Sequence, residues 1–163
     1  MSPLSSQSLR RTQLPGAGTA PCPVSLRKEA CQGSLGQISL GDLAQKKGNS
    51  EGVKSFGQML SQDHSTSNAK ATTLAKSLGV TPPTEPKPEA KKEYDTLSKL
   101  SGDAFDKEFV HHMVTDHKKD ISEFKRQANG NDEVASFAKD TLPTLQKHLD
   151  TAQSLAHGKS ASR

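Results

Sequence analysis

Val53, Phe56, Leu60, His64, Ser67, Ala71, Leu74 and Leu78 recur at steps of three and four residues. That spacing gathers them on one face of an α-helix, whereas a strand would scatter them over both of its faces. Helical spacing also marks 25–47, 89–100, 104–128 and 133–156, and no alternating strand pattern appears anywhere. The chemistry between these spans suits helix ends. Gly48-Asn49-Ser50 closes the first span and offers Ser50 as the cap of the second, Gly79 stops the second, and Asn129-Gly130-Asn131-Asp132 makes a turn and a cap. Thr81 to Pro88 carries four prolines and reads as a stiff, extended connection. Pro143 falls inside the last span, where a missing N–H and a ring clash predict a kink. Four long helices, one short helix and short turns predict an all-α fold, an antiparallel four-helix bundle.

With apolar residues at 31% and aromatic ones at 4%, a core running the whole length of 163 residues is out of reach. Pro15, Gly16, Gly18, Pro21 and Pro23 interrupt the first stretch, so residues 1–24 read as a disordered arm, 25–157 as the bundle and 158–163 as a tail. Gly33, Gly36 and Gly41 weaken the first helix, which predicts close packing against a neighbour.

The net charge of +4 comes from dispersed lysines that alternate with acids, as in Lys118, Lys119, Asp120, Glu123 and Lys125. That is the pattern of a solvated helix face and not of a nucleic-acid patch, and a single tyrosine, Tyr94, leaves little to stack on bases. Cys22 and Cys31 have no metal-ligand spacing and say little about redox compartment. No run approaches the roughly 20 apolar residues of a membrane span, and the N-terminal stretch lacks the apolar core of a secretory signal. Taken by itself, the sequence predicts a cytosolic protein.

Four of the six histidines, His64, His112, His117 and His148, interrupt apolar stripes where leucine or phenylalanine would be expected. A buried imidazole must find a partner, because an unsatisfied polar group in a core costs about 1–3 kcal/mol. His112 and Asp116 are one turn apart, as are His117 and Asp120, and a carboxylate beside an imidazole fixes its tautomer and orients it toward a metal. The candidate ligands are therefore His64, His112, Asp116, His117 and His148. Imidazoles with carboxylates suit iron, copper, zinc or nickel. Met59 and Met113 add thioethers that favour copper, though methionine on such a face commonly fills core. The structural alternative stays open: these groups pair with one another, or with carbonyls freed by Pro143, and specify the packing. The helical wheel predicts His64, His112 and His148 buried, His117 at the edge of the cluster and His111 exposed. If the imidazoles share an ion, its affinity is expected to fall as pH drops through about 6.5.

Glu108-Phe-Val-His111 matches the Glu-x-x-His spacing of di-iron carboxylate bundles. Its two end residues fall on the flank of the helix, and the second such pair and two further glutamates are missing. No nucleophile elbow, glycine-rich phosphate loop or paired acids of glycosidase type appear.

Several short motifs in order complete the reading: Glu29-Ala-Cys-Gln-Gly-Ser-Leu, Leu40-Gly-Asp-Leu-Ala, Val53-Lys-Ser-Phe, Asp63-His-Ser, Phe105-Asp, His112-Met-Val-Thr-Asp-His and Thr141-Leu-Pro-Thr-Leu-Gln-Lys-His. Over residues 25–157 the chain resembles the bacterial family called domain of unknown function 4142. The resemblance implies a ferritin-like bundle in an exported protein of the periplasm or outer membrane, with no established activity. It points to a non-enzymatic envelope protein that binds a metal or a partner, against a ferritin-type iron-oxidising or iron-storing enzyme and a purely structural bundle. Two departures stand out. Family members tend to carry glutamates near Gln37 and Ser39, and they usually begin with a signal peptide. A misassigned start or an upstream frameshift accounts for the second, which favours export of the native product.

Overall fold

The computed structural model describes residues 24–158, so most of the expected arm and tail lie outside the described residues, as does Cys22. Five helices follow one another: α1 (Val24–Lys47), α2 (Glu51–Ser77), α3 (Pro88–Ser98), α4 (Gly102–Gln127) and α5 (Glu133–Ala156). The fold is all-α, with each boundary within about two residues of its expected place. Ser50 caps α2 by accepting from the Val53 amide, and Asp132 caps α5 by accepting from the Ala135 amide at 2.8 Å. Gly79 follows α2 at φ 72°, a left-handed conformation that glycine adopts at little steric cost. The helix α5 continues through Pro143, whose ring faces solvent.

Contacts that fall in one helix as they rise in the next run antiparallel. Asp42 meets Ser61 while Cys31 meets Thr72, which sets α1 against α2. Phe124 meets Phe137 while His117 meets His148, which sets α4 against α5. The weak helix formers of α1 are put to use in two places. A Cβ on Gly41 would stand 2.7 Å from the Gly57 carbonyl oxygen, and one on Gly36 would stand 2.7 Å from the Ala90 side chain. The backbones of α1 and α2 thus meet at Gly41 and Gly57, closer than any larger residue allows. Gly33 has open space instead.

The α1–α2 turn is tied to α4, because the Asp106 carboxylate accepts from the Asn49 and Ser50 amides at 2.7 and 2.8 Å. Beneath that tie lies the main core, where Leu40, Phe56, Leu60, Leu97, Phe105, Phe109 and Met113 are buried together. A second, smaller cluster of Ile121, Leu145 and Leu149 lies further along α4 and α5. His117 falls between the two clusters in sequence, and His148 falls within the second, between Leu145 and Leu149.

Candidate metal centre

The buried stripe of α4 runs Phe105, Phe109, Met113, His117, Ile121. Each four-residue step advances about 40° around the helix, so a stripe centred on Met113 carries straight on to His117. His117 is consequently fully buried and not at an edge. His112 lies about 100° round from Met113 and looks toward α3, half-buried, with its Nδ1 3.6 Å from a Glu93 carboxylate oxygen. The expected burial of these two residues is thus exchanged. His111 is exposed as expected, and so is Glu108, which leaves the Glu-x-x-His spacing facing solvent.

His64 from α2, His117 from α4 and His148 from α5 converge, with one ring nitrogen of each within 4.8 Å of the others. Their ring centroids are 5.2 to 5.9 Å apart. Two of the rings are held from outside. The Nδ1–H of His117 donates to the Met113 carbonyl at 2.9 Å. A carbonyl only accepts, so that nitrogen carries the proton and Nε2 carries the lone pair. The Nε2–H of His148 donates to the Asp63 carboxylate, also at 2.9 Å, which leaves the lone pair on Nδ1. His117 Nε2, His148 Nδ1 and His64 Nε2 are all buried without a hydrogen-bond partner.

All three imidazoles are pushed toward the neutral form. Burial holds His64 well below the ordinary imidazole range, and mutual repulsion with His117 and His148 adds to it. Burial, then His148, brings His117 down to about 4, although the Met113 carbonyl works against the shift. Burial lowers His148 as well, partly offset by Asp63. Neutral rings keep their inner lone pairs at neutral pH, which is the state a metal requires of a histidine ligand. Proton competition is therefore displaced below the value of about 6.5 expected from the sequence.

The expected helix-local pairs do not form. Asp116 accepts from the Gln37 side chain of α1, not from His112. His117 is anchored by a backbone carbonyl and not by Asp120. Of the five candidates, the structure brings His64, His117 and His148 together and leaves His112 and Asp116 on the α1–α3 side. Asp63, the anchor of His148, stands outside the candidate set because its partner lies on another helix. Its only sequence signal is its position next to His64.

A family model described as a domain of unknown function, DUF4142, matches residues 15–155. Among solved structures the chain is similar to a DUF305 fragment from Deinococcus radiodurans, with a TM-score of 0.73 and 15% identity over 83% of this chain and 95% of that one. At that identity the likeness is one of fold. No match is found among curated proteins.

Proposed function

This chain belongs to the DUF4142 family, and we propose that it is a helical-bundle protein binding one transition-metal ion through His64, His117 and His148. The observation that carries the reading is that three buried histidines converge from three helices, one ring nitrogen of each within 4.8 Å of the others, and that each has a buried ring nitrogen without a hydrogen-bond partner. Left empty, each costs about 1–3 kcal/mol, a large share of the roughly 5–15 kcal/mol that holds a domain together. One ion satisfies all three. At the His–metal distance of about 2.0–2.1 Å it would draw the nitrogens to roughly 3.4 Å from one another. The anchoring of two rings by Asp63 and the Met113 carbonyl is the outer support that metal-binding histidines commonly have.

The donor set favours copper or zinc. Three neutral imidazoles with no thiolate and no carboxylate suit the late divalent ions at the top of the affinity order. A ferritin-type iron site needs several converging carboxylates, and the cluster among the described residues contains none. We therefore read the protein as a metal binder rather than an iron oxidase. Its place in the bacterial envelope is proposed from the family resemblance, and fractionation of the native product tests it.

Elemental analysis of full-length protein purified without a histidine tag is the direct experiment, coupled to thermal unfolding with and without Zn²⁺ or Cu²⁺. A bound ion stabilises the fold by about 2.7 kcal/mol at a hundredfold excess over Kd. Co-purified metal or a clear upward shift in Tm is expected. A folded protein that neither carries metal nor shifts contradicts the reading.

A further inference from the structure

His64 differs from its two partners. No hydrogen bond holds its ring among the described residues, whereas His117 and His148 are each anchored. It also lines a narrow cavity of about 60 Å³ that the other two do not reach. That space, room for a few water molecules, runs among α1, α2, α4 and α5, with Ser34, Ser67 and Thr141 along it. Glu29, Asp120 and Glu123 also line it, against Lys87. Glu123 is paired with Arg126, so Asp120 and Glu29 are left beside Lys87 as the cleft's remaining ionisable groups.

Resting on the metal-binding reading above, we propose that this cleft is the path by which a metal cation reaches the three histidines, with Asp120 drawing the ion in and the unanchored His64 receiving it. The chain as a whole carries +4 and repels cations. Burial and the neighbouring Asp116 raise the Asp120 carboxyl to about 7. Above that pH it lines this narrow, low-dielectric passage as a carboxylate, reverses the field locally and raises the on-rate for a cation. Lys87 is the opposing charge, already felt by Asp120. The two residues should therefore act on the rate with opposite signs.

Stopped-flow mixing of the full-length, untagged protein with Co²⁺ alone at about pH 8, where Asp120 is ionised, read by its visible absorption, tests this over a series of salt concentrations. In the wild type the association rate is expected to fall as salt rises, because screening weakens an attraction. Asp120→Asn should slow association roughly three- to tenfold and flatten the salt dependence, and Lys87→Gln should speed it. Circular dichroism of both variants confirms the fold. A wild-type rate that rises with salt shows that the overall positive charge governs approach and overturns the route. So does a rate indifferent to both substitutions, and in either case the metal site itself stands. A wild type that gives no Co²⁺ spectrum at equilibrium overturns the binding reading and this inference with it.

Discussion

One helical turn separates two layers built by opposite rules. At Met113, Phe109 and Phe56 the helices fill their shared interior with apolar side chains, and Phe105 stacks on Phe109 with ring centroids 5.8 Å apart. At His117, His148 and His64 helices α4, α5 and α2 instead bring together buried imidazoles, each with a ring nitrogen that has no partner. The apolar layer is complete in itself, since every group there has what it needs in the folded chain. The histidine layer is complete only with an added partner. Burial alone therefore does not distinguish core from site, and satisfaction of the buried polar atoms does.

The largest expected difference between the layers is in stability. Phe109→Ala should cost about 3–5 kcal/mol, measured by urea unfolding of the metal-stripped protein. His117→Leu in the same assay should stay within about 1 kcal/mol of the wild type, because the lost bond from Nδ1–H to the Met113 carbonyl is offset by removal of a buried Nε2 that had no partner. A loss from His117→Leu comparable to that from Phe109→Ala would make His117 a structural core residue and erase the contrast.

Acid should expose the difference next. An imidazole lowered from 6.5 to about 4 in the folded state binds its proton more readily when unfolded. Its contribution is present above pH 6.5 and is lost as pH falls from 6.5 toward 4. For His117 alone that amounts to about 1.4 kcal/mol per pH unit across the window. His64 and His148 act in the same direction. Asp120 opposes them, since burial and then the neighbouring Asp116 raise it to about 7, so its folded form holds a proton that the unfolded chain gives up. Stability of the metal-stripped protein should thus fall below pH 6.5. His117→Leu should soften that fall and Asp120→Asn should steepen it, as denaturation at stepped pH will read. An acid limb left unchanged by His117→Leu would show that the ring does not titrate as a buried neutral group.

The helices and their ends were legible in the sequence because caps, glycine stops and apolar periodicity are local. Ser50, Asp132 and Gly79 act within a few residues of where they stand. That histidines face inward was legible too, but which of those on α4 does so depended on drift. The stripe turns about 40° with every four residues, enough to favour His117 over His112. The partners of these groups were beyond local reading. Asp63 reaches His148 and Gln37 reaches Asp116 across helix interfaces, and no spacing within one helix encodes such a pairing.

A smaller effect tests the support of the site. Asp63→Ala removes the carboxylate that orients His148 and should weaken metal affinity about 10–100-fold while leaving the stoichiometry unchanged. Unaltered affinity would mean that His148 needs no anchor. The smallest effect belongs to the exposed pair: Glu108→Gln and His111→Ala should leave both affinity and stability at wild-type values, and weaker binding in either would bring the solvent-facing side of α4 back into consideration.

The central claim, that the histidine layer is completed by an ion, is tested most directly by calorimetric titration of metal-stripped, untagged full-length protein with Zn²⁺ at neutral pH, beside its His117→Leu variant. The account predicts saturable binding of about one ion per chain in the wild type, as a single three-nitrogen site requires, and its loss in the variant. No saturable binding in the wild type, or equal binding in both proteins, would contradict it.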